Sequence, residues 1–175
     1  MKFSELAAKR RSVRKFTQEK ISQSVIDSLI ETTLTAPSSK NTRSTRIAYS
    51  DDKIVLAKVA AMRSTGSAFV KDAPLVFFIL GDESVADLWR ENCAISATVL
   101  QLAAESLGLG SCWVQVSGRP HSDDNPNGPT AADFLRENVP ELPGYAIMCV
   151  VTVGYPVERR RPHSIKDDSD KVFYI

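Results

Sequence analysis

Between Cys93 and Ala104 the chain carries no charged residue on any side of what reads as a helix. Helical spacing extends this segment from about Val85 to Leu107, with Asp87, Arg90 and Glu91 in its first turns, and Gly108 stands where a helix stop is expected. A surface helix shows one polar face, whereas a helix apolar all round must be covered all round. The chain has 175 residues, the size of a single domain, read here as residues 1–175. The pattern therefore predicts a helix packed on its own sheet on one side and on another subunit on the other.

The remaining elements supply that sheet. Leu75-Val76-Phe77-Phe78-Ile79-Leu80 is a continuous apolar run after Pro74, and Tyr145–Val153 is a second. Both read as strands covered on two faces. Arg46–Tyr49 and Ser111–Val116 are shorter strand candidates. Helices are predicted over Ser4–Arg10 with Ser4 as cap, over Ser24–Leu34 with Ser24 and Asp27 as a capping box, over Asp52–Met62, and over Thr130–Asn138 with Thr130 as cap. Ser117–Pro129 is a polar loop rich in Pro and Gly, and the apolar end Val172-Phe173-Tyr174-Ile175 is expected to dock on this subunit or a neighbour. Helices and strands intermix without a clean βαβ alternation. The predicted class is α+β, a small mostly antiparallel sheet with helices on both faces.

Charge and composition narrow the chemistry. Lys+Arg 22 against Asp+Glu 21 favours neither nucleic acid nor an acidic membrane as partner. No apolar run is long enough to span a bilayer and the first residues lack the apolar core of a signal peptide, so a cytoplasmic protein is expected. The three cysteines, Cys93, Cys112 and Cys149, are far apart in apolar sequence and read as free core thiols. His121 and His163 are the only histidines, and neither has a partner at metal-ligand spacing. With so few acid–base candidates, catalysis would lean on a borrowed cofactor, and no metal or catalytic side chain is assigned.

Eight of the 22 basic residues fall in two short stretches, Lys9-Arg10-Arg11 with Arg14-Lys15, and Arg159-Arg160-Arg161. The arginine fork matches phosphate bidentately, and Ser12 can add a hydroxyl. A solvated helix end explains the first cluster equally well; a nucleic-acid arm would want interleaved aromatic residues. Ala36-Pro37-Ser38-Ser39-Lys40-Asn41-Thr42-Arg43 is either a turn or a loop of donors and acceptors lining a polar ligand. In Gly108-Leu109-Gly110-Ser111-Cys112-Trp113 the glycines close a helix and open a strand. A dinucleotide fingerprint does the reverse, so that reading is rejected.

Taken in order, Arg10-Arg11-Ser12-Val13-Arg14-Lys15-Phe16, Ala36-Pro37-Ser38-Ser39-Lys40-Asn41, Gly108–Trp113 and Gly154-Tyr155-Pro156 resemble the FMN-dependent nitroreductase family across about Arg10 to Arg161. The resemblance implies an α+β homodimer with FMN at the subunit interface. Arg10, Arg11, Ser12 and Arg14 would bind the phosphate and ribityl end. Pro37, Ser38, Ser39 and Asn41 would reach the flavin from the partner subunit, and Trp113, Val114 and Gln115 would lie along its ring through backbone groups. One or two of Arg159, Arg160 and Arg161 would return to the phosphate. NADH or NADPH would pass hydride to the flavin, and a nitroaromatic, quinone or similar acceptor would take it up in ping-pong fashion. Relatives that dehalogenate or oxidise rings, and a non-catalytic flavin- or nucleic-acid-binding module, are the alternatives. Many members follow the Asn with Gln-Pro-Trp, whereas this chain has Arg43-Ser44-Thr45, a departure that bears on substrate preference.

Overall fold

A computed structural model describes residues 2–159, 161–163 and 171–175. The two apolar runs become the middle of a four-stranded sheet. β1 (Thr45–Ser50), β2 (Leu75–Gly81), β3 (Gly110–Gln115) and β4 (Ala146–Gly154) lie in the order β1-β2-β4-β3, with every neighbouring pair antiparallel. β2 is buried along its whole length because both faces are covered. Val76, Phe78 and Leu80 point to one core, Phe77 and Ile79 to the other, as strand alternation requires.

Helices cover both faces, as the sequence predicted. α3 (Lys53–Ala61) and α5 (Ala131–Asn138) contribute Leu56, Val59 and Leu135 to the first core. α2 (Gln23–Leu34) and α4 (Trp89–Ser106) contribute Ile26, Leu29, Cys93, Ala97 and Leu100 to the second. α1 (Phe3–Lys9) is short and buries no residue. The Thr130–Asp133 capping box of α5 is present as read, but two other cap assignments are corrected. α1 starts from Lys2 rather than Ser4. α2 starts from Ser22; the Ser24 hydroxyl pairs with that of Ser22 at 3.0 Å, and Asp27 accepts from Gln23 at 2.7 Å, so neither closes a capping box.

The long helix also begins later than its periodicity suggested, at Trp89 instead of Val85. Asp82 holds a turn there, accepting from the Ser84 amide at 3.2 Å and the Ser84 hydroxyl at 2.6 Å. From Trp89 the helix runs over one face of the sheet, touching all four strands. Ser96, midway along it, donates to Thr45 Oγ1 on β1 at 3.1 Å, and Leu109 enters the core beyond its C-terminal end. It buries one side only. Ile95 remains 40% exposed, Thr98 is exposed, and Val99 and Leu102 are half-buried. Val172–Ile175 are exposed, so the apolar end does not dock on this subunit. No described helix is long and apolar enough to cross a membrane.

Two glycines admit the opening segment to this frame. Residues 12–17 run beside the start of β3 and the end of β4, with the Val13 amide donating to Ser111 O at 2.9 Å and the Thr17 amide to Tyr155 O at 2.8 Å. A β-carbon on Gly110 would stand 2.8 Å from Val13 Cβ, and one on Gly154 2.8 Å from Phe16 Cδ1.

Candidate functional site

β3 is an edge strand, and its outer edge organises the site. The bond from Val13 to Ser111 O fixes which residues of β3 turn their main-chain groups outward. In an antiparallel pair that direction alternates, so Ser111, Trp113 and Gln115 present backbone groups away from β4 while Cys112 and Val114 pair inward. Val13 takes the Ser111 carbonyl, the Trp113 carbonyl accepts from Cys112 Sγ at 3.6 Å, and the outward amides of Trp113 and Gln115 have no partner among the described residues. Trp113 Nε1 donates to Gln115 Oε1 at 2.9 Å, and Gln115 Nε2 donates to Ser117 O at 2.9 Å. These bonds hold both side chains back along the strand.

At the other end of β3 stand the cations of the opening segment. Burial pushes the Cys112 thiol up, while Arg14, the Ser12 hydroxyl and Arg10 act against that shift. Ser12 bridges to Ser111 beside Cys112, and the charges of Arg14 and Arg10 lie close enough to act on that thiol. Arg14 also lies over the Phe69 ring at 5.8 Å. Arg11 faces elsewhere: its Nη1 donates to Arg161 O at 3.1 Å, and with Lys9, Glu105 and Arg159 it lines a cleft of about 380 Å³. From Ser111 to Gln115 the strand advances roughly 13 Å, so side-chain cations at one end and outward backbone groups at the other form one elongated strip.

The second arginine stretch is divided. Arg159 donates to Gly108 O at 2.8 Å and pairs with Glu105 at 3.4 Å, which places its charge at the carbonyl end of α4. Arg161 offers its carbonyl to Arg11, and Arg160 lies outside the described residues.

Pro37, Ser38, Ser39 and Asn41 are not brought to this strip. Their loop enters β1, at the opposite edge of the sheet, three strand spacings or roughly 14 Å away. It is an unusual piece of backbone. Lys40, Asn41 and Arg43 have φ of 51°, 54° and 48°, in the left-handed region that L-residues other than Asn seldom occupy. Asn92 on α4, 1% exposed, fastens the loop: its Oδ1 accepts from the Ser39 amide at 2.9 Å, and its Nδ2 donates to Ser44 Oγ at 2.9 Å and Thr42 Oγ1 at 3.4 Å. The Arg43 amide donates to Ser38 Oγ at 2.9 Å, and Arg46 Nη1 donates to Arg43 O at 2.7 Å. Sequence reasoning passed over Asn92, whose one signal was an amide within a helix otherwise turning apolar.

A model of the nitroreductase family matches residues 7–65 and 49–155, most of the chain. The chain belongs to the nitroreductase family. Within it, an FMN-dependent nitroreductase from Clostridium difficile R20291 is 33% identical, with a TM-score of 0.90 over 98% of each chain. A protein of Methanothermobacter thermautotrophicus, provisionally named an NADH dehydrogenase/NAD(P)H nitroreductase, is 29% identical over 85% of this chain and 74% of its own. A provisionally named nitroreductase of Desulfovibrio desulfuricans, solved in complex with FMN, shares the fold at 19% identity, with a TM-score of 0.79 over 98% of this chain and 95% of its own. Membership makes this nitroreductase an oxidoreductase, and its four-stranded antiparallel sheet flanked by helices is the fold those structures share.

Proposed function

We propose that the protein binds FMN along the outer edge of β3 and carries hydride from NADH or NADPH to an electron-poor acceptor, a nitroaromatic or quinone, in a ping-pong cycle. One observation carries the reading: phosphate-type donors at the Ser111 end of β3 and outward main-chain groups at Trp113 and Gln115 match the two ends of an elongated phosphate-bearing cofactor. FMN, when bound, supplies the capacity to accept a hydride and pass it on, which this site's side chains lack. Arg10, Ser12 and Arg14 hold the phosphate and ribityl end. Trp113 and Gln115 orient the ring with their backbone, and Val114 fixes that edge by anchoring β3 in the core.

A second copy of the chain completes the site. In this reading the strained loop with Pro37, Ser38, Ser39 and Asn41 comes from the partner, since in one protomer it stands at the far edge of the sheet. The open side of α4, with Ile95, Thr98, Val99 and Leu102, is the surface such a partner would cover. The protein is thus read as one nitroreductase-like domain over residues 1–175, a cytoplasmic homodimer that engages small molecules rather than nucleic acid or membrane.

The test is a visible absorption spectrum with and without added FMN, followed by anaerobic titration with NADH and with NADPH. A flavin band that either nucleotide bleaches is expected, and bleaching by one names the donor. Absence of any flavin uptake would overturn the proposal.

A further inference from the structure

The segment between Glu31 and Asp51 holds Lys40, Arg43 and Arg46 but no acidic residue. Arg46 is neutralised in place: its Nη2 pairs with Asp82 at 3.1 Å, and its Nη1 donates to the Arg43 and Thr45 carbonyls. The Ser84 hydroxyl, with Arg46 behind it, holds the Asp82 carboxyl below the usual carboxylate range. Lys40 and Arg43 differ. Among the described residues neither cationic group has a hydrogen bond or ion pair, and both residues are exposed. Arg43 lines a cavity of about 230 Å³ with Ser38, Thr45, Arg46 and Ser96, and Lys40 sits between Ser39 and Asn41.

The loop's bonds therefore serve its backbone and leave its cations unspent. Asn92, Ser38 and Arg46 fix the main chain at both ends of a left-handed turn, a conformation that is unfavourable for residues other than Gly. A turn needing only that shape would be better served by Gly at positions 40 and 43. Strained backbone held from outside, with unpaired cations on it beside hydroxyls, is a preorganised anion-recognising surface.

We infer that Lys40 and Arg43 select acceptors that carry a negative group, a carboxylate or sulfonate on the electron-poor ring, over their neutral counterparts. The inference rests on the proposed reading that this loop reaches the flavin from the partner.

The test compares 4-nitrobenzoate with 4-nitrobenzyl alcohol as acceptors for the FMN-loaded protein, its Lys40→Gln/Arg43→Gln variant and Arg43→Lys. The ratio of kcat/KM values, anionic over neutral, is expected to fall roughly tenfold in the double variant, the worth of one lost charge-assisted contact. Arg43→Lys should restore part of it, and the parent's ratio should shrink with added salt. A binding readout accompanies the rates: benzoate perturbing the oxidised flavin spectrum should do so at about tenfold higher concentration in the double variant. An unchanged ratio with unchanged benzoate affinity would overturn the inference. So would a constant ratio with weakened NADH or NADPH reduction, which would assign the cations to the donor. A protein that takes up no FMN would be recognised in the first spectrum, before any acceptor is added, and would overturn both proposals.

Discussion

Replacing Asn92 by Ala tests how the strained loop is held. The side chain makes two short bonds, to the Ser39 amide and the Ser44 hydroxyl at 2.9 Å each, and a longer one to Thr42 at 3.4 Å. At about 1 kcal/mol net for each short bond, their loss amounts to about 2 kcal/mol. Ser44 is fully buried and its hydroxyl would be left without that partner, adding roughly 1 kcal/mol. Ser39 is only half-buried, so its freed amide can reach water and adds little. Opposing this, the three left-handed residues recover part of their strain, on the order of 1–2 kcal/mol each, once the loop can relax. The expected net loss of global stability is about 1–2 kcal/mol, accompanied by a larger loss of local order. Urea unfolding at matched protein concentration measures the first, and amide exchange across residues 38–43 the second. A global loss below ~0.5 kcal/mol with exchange unchanged would show that the loop holds its own conformation and that Asn92 does not fasten it.

Other expected outcomes follow from the same geometry. Arg10→Ala or Arg14→Ala should weaken FMN binding by roughly ten- to a hundredfold with the fold intact, whereas Arg11→Ala, whose guanidinium turns to Arg161 O, should cost less than about threefold; titration of the apoprotein with FMN reads all three. Gly110→Ala should destabilise by about 1–3 kcal/mol in urea, because the new methyl meets Val13 at 2.8 Å and pushes the opening segment off β3. Thr130→Ala should cost about 1 kcal/mol, as the α5 capping box is lost. The same box gives a pH signature. The Thr130 amide and then its hydroxyl hold the Asp133 carboxyl below its ordinary 3.8, so its contribution is complete above that value and lost as pH falls through the folded value; Asp133→Asn should flatten this part of the acid-unfolding curve, and Thr130→Ala, which keeps the amide, should flatten it only in part. Burial pushes the Cys93 thiol up to about 11 and also raises those of Cys112 and Cys149, so a thiol reagent at pH 8 should label the chain only on unfolding.

What could be read from the sequence was whatever repeats with a period or punctuates it. The runs at Leu75–Leu80 and Tyr145–Val153 announced central strands because being covered on both faces removes the polar alternation. Gly108 announced the end of α4 through its left-handed φ of 78°. The start of α4 could not be read the same way. Val85–Leu88 has helical composition, and a three-atom contact between Asp82 and Ser84 decides against the helix. Side-chain direction was equally hidden. Arg10, Arg11 and Arg14 look interchangeable in a string, but extended backbone sends neighbouring side chains to opposite sides, and Arg11 turns away from the other two. Asn92 was invisible for a deeper reason: its three partners lie about fifty residues back along the chain, and only tertiary packing brings them to it.

The placement of the strain gives that packing a purpose. A loop of Ser, Asn, Lys and Arg has too little apolar surface to order itself, and left-handed backbone at Lys40, Asn41 and Arg43 raises its cost further. Its order is borrowed from α4, which touches strands at both edges of the sheet. Through Asn92 and Ser96 the helix fixes the loop and the start of β1; through Gly108–Gly110 it delivers the chain into β3 beside the arginines. Both halves of the proposed site are tied to this helix, yet on opposite edges of the sheet, so within one protomer they stand apart. In the proposed dimer the open face of that same helix meets its copy. The surface that joins the subunits then also sets the distance between each strained loop and the β3 edge it serves.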